Sequence, residues 1–251
     1  MDLHLKDKHV LIAGGSRGIG RACVDAFLKE GARVSVISRN QTDLPPSVFH
    51  IVADLADSKQ ARHAVISALE EQGRIDVLVN CAGSARKTPP EEITPEHFRK
   101  AMDAKFYTYI NVIDPVIKEM AKERTGSIVN VVGLGGKVAV PTHLPGGSAN
   151  AALMLATVGY ASVYIKKGIR INAVNPIATD TDLLQSSLEA DAKINNITID
   201  EARIAANAKT PLGRIVRPAE VADSILFLSS NRASYINGTM LYIDGGMYPF
   251  I

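Results

Sequence analysis

Short apolar runs alternate with longer stretches in which apolar residues recur every three or four positions, from one end of the chain to the other. The runs at 9–13, 33–38, 48–53, 76–80, 127–132, 170–175 and 240–243 read as seven strands, and nearly every gap between them reads as a helix. Strands this uniformly apolar are buried on both faces. Regular alternation of strand and helix therefore predicts an α/β protein built on a doubly wound parallel sheet of seven strands, with helices on both faces. Ligands of such sheets bind beyond the carboxyl ends of the strands, at the point where the strand order reverses.

Composition narrows this picture without redirecting it. The chain has 251 residues, 46% of them hydrophobic, and a formal charge of +2, which suits one globular domain spanning 1–251. No linker or repeat breaks the pattern. The first ten residues hold no apolar signal region, and no apolar run approaches the roughly 18 residues of a membrane span, so a soluble, cytoplasmic protein is expected. Lys and Arg form no stripe, which gives no reason to invoke nucleic acid. Cys23 and Cys81 read as small core residues, not as a disulfide. No His/Cys/Asp cluster has metal-ligand spacing, and Asp180 with Asp182 reads as the capped start of a helix.

The first strand runs directly into Ala-Gly-Gly-Ser-Arg-Gly-Ile-Gly at 13–20, and a helical pattern follows at once. Gly14 permits a sharp turn off the strand, Gly18 lets backbone amides approach a diphosphate, and Gly20 lets the helix pack close to the sheet. Ser16, Arg17 and Ile19 complete this dinucleotide loop. After the second strand, where a carboxylate would bind the ribose hydroxyls of NAD, stands Arg39. Two guanidinium groups, Arg17 and Arg39, suit a ribose 2′-phosphate and predict NADP(H) as cofactor. The plainer alternative is that both are solvated loop charges.

These motifs resemble the short-chain dehydrogenase/reductase superfamily over nearly the whole chain, most closely in the pattern of 3-oxoacyl-carrier-protein reductases. Asp54-Leu55 looks like the segment that meets the adenine, and Asn80-Cys81-Ala82-Gly83 is similar to the family's Asn-Asn-Ala-Gly motif. The stretch 168–176 resembles its sixth strand, with Pro176 at the end, and Thr181 resembles the threonine that binds the nicotinamide amide. Ile177 departs from the glycine that usually follows the proline. The resemblance implies a single-domain Rossmann fold, a substrate lid at about 178–212, and pairing into homodimers or homotetramers through the long helices at 102–121 and 148–167. The second helix carries Ala152, Leu155, Ala156, Gly159 and Val163 on one face. That face reads equally as the monomer's own core.

Chemistry in the family rests on an Asn-Ser-Tyr-Lys tetrad, in which lysine lowers the tyrosine pKa from about 10 so that the phenol passes a proton to or from the substrate oxygen. Aligned by its helix, this chain places Gly146 at the tyrosine and Asn150 at the lysine. Gly133, thirteen residues before Gly146, falls at the serine, and Lys105 at the asparagine. Asparagine and lysine have thus exchanged places, and Lys105 becomes the candidate to stabilise an oxyanion, with Asn150 as a hydrogen-bond donor. His143, just before the helix, is a second candidate acid with an ordinary pKa near 6.5. The plainer readings make Lys105 a surface lysine, Asn150 a capping or packing residue, and His143 a solvated loop histidine. Tyr107 and Tyr109 read as packing residues.

Three functions follow: an NADPH-dependent reductase of a carbonyl or of a conjugated C=C bond with a non-standard site, a catalytically inactive NADP(H)-binding regulator or sensor, or a non-redox enzyme on a nucleotide fold. A small-molecule substrate that is apolar or bulky fits the two glycines and the apolar lid.

Overall fold

The structure is a computed structural model that describes residues 2–83 and 87–249. Its seven strands are β1 (His9–Ala13), β2 (Arg33–Ser38), β3 (Phe49–Val52), β4 (Val77–Asn80), β5 (Gly126–Val131), β6 (Ile169–Pro176) and β7 (Met240–Ile243). They form one sheet in the order β3-β2-β1-β4-β5-β6-β7, and every pairing is parallel. The order reverses between β1 and β4, so a crevice for ligand is expected at the ends of those two strands.

Side chains alternate across each strand and feed two separate cores. Leu11, Ala13, Ile37, Leu78, Ile128 and Ala173 face α2 (Ser58–Gln72), α4 (Thr108–Glu123) and α5 (Leu144–Tyr164). Val10, Ile12, Val36, Val79, Val129 and Val174 face α1 (Gly18–Lys29) and α8 (Pro218–Ser229). Burial on both faces is why the strands read as unbroken apolar runs. Cys23 lies inside the second core, and half-buried Cys81 packs against it; both are free thiols. A hydrogen bond with Cys81 and burial push the Cys23 thiol up from its ordinary pKa.

Four elements shape the site. Helix α3 (Pro95–Ala101) runs into a π-helical segment, Met102–Tyr107, before α4 begins. Beyond β6, α6 (Asp182–Asn195) and α7 (Ile199–Ala208) close around a small core of their own formed by Leu184, Leu188, Ala192, Ala202 and Ile215. The Asp180 carboxylate does not cap α6. It accepts from the Arg203 guanidinium at 2.9 Å, while Thr181 holds the cap position with its hydroxyl donating back to the Thr179 carbonyl at 3.3 Å and not capping the helix. That corrects the capping expectation for Asp180, whose carboxylate is drawn to the guanidinium of α7; Asp182 does stand in the first turn of α6.

The apolar stretch Pro141–Lys167 spans 27 residues with a mean hydropathy of 1.3 in its best window, which is long and apolar enough to cross a membrane by length and composition. An unbroken apolar run is absent, but the interspersed Gly, Ser, Thr and Asn weigh little on an average, and no charged residue stands between Leu144 and Tyr164. Ala149, Leu153, Thr157 and Ala161 of α5 are buried toward the sheet. The face carrying Leu155 (76% exposed) and Val163 (67%) is turned outward, so it is not the monomer's core.

Candidate active site

The glycine loop is built to leave a groove. A Cβ on Gly14 would stand 2.7 Å from the backbone of Ala82, one on Gly20 would enter the Gly14 carbonyl, and one on Gly18 would meet the Thr181 methyl at 3.1 Å. Three segments that sequence placed at one cofactor, the loop, the end of β4 and the start of α6, are thus brought together at the β1/β4 reversal. Helix α1 starts there with Arg17 at its cap position, and no side chain caps it, so its first amides are available to an anion. Arg17 and Arg39 stand beyond the ends of the adjacent strands β1 and β2; both are exposed and, among the described residues, neither guanidinium has an ionic or hydrogen-bond partner. Ser16 and Ile19 lie half-buried in the loop.

The remaining cofactor candidates divide. Asp54 is exposed and folds its carboxylate onto the Ala56 amide at 3.0 Å, while buried Leu55 gives its carbonyl to Asn111. Asn80 turns inward: its Nδ2 donates to Asn130 at 2.9 Å, and Asn130 donates to Thr157 at 3.0 Å, a bonded row that ties β4 through β5 to α5. Asn80 Oδ1 is buried without a partner among the described residues. Pro176 ends β6, and Ala82 packs under Gly14.

Gly83 adopts φ +91°, and a Cβ there would run into the Ala104 carbonyl. Only glycine lets the end of β4 lie this close to the π segment, and the widened turn places Lys105 over the end of β5. The residue is half-buried, but its ammonium is enclosed. Lys105 Nζ donates to Tyr109 Oη at 2.9 Å and to the Val131 carbonyl at 2.8 Å, and it lies 4.6 Å from the centroid of the Tyr109 ring. No carboxylate pairs with it among the described residues. Burial is the main influence on the ammonium and lowers its pKa to about 8, against a weak opposing pull from Cys81. The surface-lysine reading is thereby overturned.

Two residues past Val131, Gly133 has φ 106° and ψ 146°, a region that L side chains rarely adopt. A Cβ at this position would stand 3.3 Å from Asn150 Nδ2. Buried Asn150 thus reaches from α5 to the place a serine would occupy, and among the described residues its carboxamide has no hydrogen-bond partner. It neither caps α5 nor joins the Asn80 row. Gly146 is buried in the first turn of the same helix.

His143 stands at the cap of α5, half-buried, its ring 3.3 Å from where a Gly135 Cβ would be. Burial lowers its pKa, and the charges of Lys87 and Lys105 lower it further. His143 is thus harder to protonate than an ordinary imidazole. Lys87 in turn meets Asp191 of α6 at 3.7 Å. Sequence reasoning missed Tyr109 as a partner of Lys105, since an i, i+4 spacing that packs and one that bonds look alike. It also missed the π segment.

A seven-stranded parallel sheet with a glycine cradle at its reversal, and a buried cation beside it, defines a dinucleotide-binding α/β protein. The family profile described as enoyl-(acyl carrier protein) reductase matches residues 13–248. A 3-oxoacyl-[acyl-carrier-protein] reductase of Thermotoga maritima is 33% identical over 98% of this chain and 99% of its own length. Among solved structures, the ligand-free aldohexose dehydrogenase of Thermoplasma acidophilum matches with a TM-score of 0.92 at 30% identity over 100% of this chain and 99% of that one. The L-sorbose reductase of Gluconobacter frateurii, solved with NADPH and L-sorbose, matches with a TM-score of 0.93 at 25% identity over 100% of both chains. The chain belongs to the short-chain dehydrogenase/reductase family of oxidoreductases.

Proposed function

We propose that this chain is an NADP(H)-dependent reductase of a carbonyl, or of a C=C bond conjugated to one, in which Lys105 and Asn150 stand in for the family's tyrosine and lysine. The carrying observation is the Lys105 ammonium, buried at the end of β5 and held on Tyr109 and Val131.

The chain binds NADP(H) through the Gly14–Gly20 loop, with Arg17 and Arg39 toward the 2′-phosphate and Thr181 closing the nicotinamide end. Bound NADPH supplies the hydride. The chain's own residues then have to hold and neutralise the substrate oxygen as negative charge grows on it. Lys105 is mostly protonated at pH 7 and close enough to neutrality to give up a proton, which matches the demands on a general acid. Buried in a site of low polarity, its charge acts more strongly than it would in water. The Asn150 amide donates a second hydrogen bond to the same oxygen or to the cofactor ribose. His143, beside the start of α5, orients the substrate and is the second candidate for the proton. A bulky or apolar substrate group lies under the lid formed by α6 and α7. A second copy of the chain covers the exposed Leu155–Val163 face of α5.

NADPH oxidation against a panel of ketones, quinones and conjugated enones tests the reading, with wild type and Lys105→Met side by side. Turnover that collapses in the mutant while NADPH still binds is the expected result; full turnover by the mutant would overturn it. Gly146 in α5, where the resemblance puts the family's tyrosine, favours a second reading, a cofactor-binding regulator. Tight NADPH binding with every acceptor refused would support that one.

A further inference from the structure

Tyr109 is the largest of the fully buried side chains, yet its hydroxyl does more than satisfy itself. It donates to the Val131 carbonyl at 2.6 Å, which is the one partner a packing tyrosine needs. The same oxygen accepts from Lys105 Nζ, and Lys105 also donates to Val131. Phenol, ammonium and carbonyl therefore form a closed triangle at the end of β5.

Donor counting gives the triangle a meaning. An ammonium has three N–H groups and no acceptor. Two are taken by Tyr109 and Val131, at a fixed angle to each other. We infer that Tyr109 is a positioning residue: by accepting one Lys105 donor while its own hydroxyl is anchored on Val131, it locks the ammonium and leaves a single N–H for a reacting oxygen. The inference rests on the reductase reading of Lys105.

Fold stability alone does not account for the arrangement. A buried ammonium without a carboxylate is costly, and a methionine of similar length would fill the same space without a charge. The titratable groups facing Lys105 are Cys81 from the end of β4, Tyr109 from α4 and His143 from the turn before α5. Burial pushes the Tyr109 phenol well above its ordinary pKa, so it stays protonated, its proton stays on the Val131 side, and its oxygen remains an acceptor toward Lys105.

The test is the titration of Lys105 itself, read without any turnover. Competitive acetylation by acetic anhydride across pH 6–10, followed at Lys105 by mass spectrometry, gives its pKa in wild type and in Tyr109→Phe. A hydrogen bond to the charged form raises a lysine pKa, so its loss in the variant should lower the value by about one pH unit. The alkaline limb of the reductase rate should move down by the same amount at unchanged NADPH affinity. Phe keeps the ring and its packing; circular dichroism checks the fold, and Tyr109→Leu carries the same titration if Phe does not fold. An unmoved Lys105 titration in a folded variant overturns the inference. A shifted titration combined with full turnover by Lys105→Met would sustain the positioning of Lys105 and overturn the reductase reading instead.

Discussion

Lys105→Met should stabilise the protein at pH 7 and lose that advantage as the pH approaches 10.5. In the unfolded chain the ammonium keeps its ordinary pKa of 10.5, whereas in the fold burial lowers it to about 8. That gap of about two and a half pH units corresponds to about 3 kcal/mol of cost for holding the charge inside. The cost is complete below pH 8, where both states carry the proton. Between about 8 and 10.5 the unfolded chain keeps a proton that the folded chain has released, so wild-type stability rises through this window and the cost is gone above it. Methionine removes the charge and leaves the Tyr109 bond to Val131 intact. It forfeits about 1 kcal/mol of hydrogen bonding that a neutral amine would make, for a net gain of about 2 kcal/mol at pH 7. In a domain of this size that is a rise in Tm of roughly 4–8 °C. Urea unfolding of both proteins from pH 6 to 10.5 measures the difference directly, and other titrations cancel between them. A mutant less stable than wild type at pH 7, or a difference that does not shrink above pH 8, would refute the reasoning.

Three further outcomes follow from the same geometry. Arg39→Asp should weaken NADPH binding far more than NADH binding by fluorescence titration, because it removes one guanidinium and adds a carboxylate beside the 2′-phosphate; equal losses would remove the arginine argument. Gly133→Ser should not restore a family-like site: the backbone region costs about 2 kcal/mol for an L residue, and the Cβ crowds Asn150, so Tm should fall by roughly 4–8 °C with no gain in turnover. A Gly133→Ser protein melting with the wild type would show that this loop relaxes freely. Sedimentation should show dimers or larger at micromolar concentration, broken by Leu155→Asp on the outward face of α5, and a monomeric wild type would leave that face unexplained.

What could be read from the sequence follows from how each feature is encoded. The strands were legible because burial on both faces writes them as unbroken apolar runs, and β1, β2 and β7 match their expected limits while the others shift by a residue or so. The cofactor groove was legible because glycines at fixed spacing between a strand and a helix serve little purpose except to admit backbone or an anion closely. The outward face of α5 was not, since a helix apolar all round does not say which side meets the sheet. Asp180 was misread because Arg203, its partner, lies 23 residues away. Lys105 was found by counting along the chain. Its inward direction was beyond counting, because it depends on a π turn and on the close approach of Gly83 from another strand.

Those dependencies bind the replaced residues to one another. Gly133 bends its backbone into a region strained for serine, and the Asn150 amide stands where a side chain from that position would point. A lysine in place of Asn150 would bring a second ammonium into a cleft where burial first, and then the charges of Lys87 and Lys105, already lower His143. An asparagine in place of Lys105 would leave the Tyr109–Val131 pair without its cation. In the reading we propose, each of these residues makes sense only beside the others, as parts of one rearranged site. Four separate losses would not require a buried, doubly bonded lysine to survive at their centre, at a cost of about 3 kcal/mol to the fold. This coupling favours an enzyme with a relocated proton donor over a fold that has lost its chemistry.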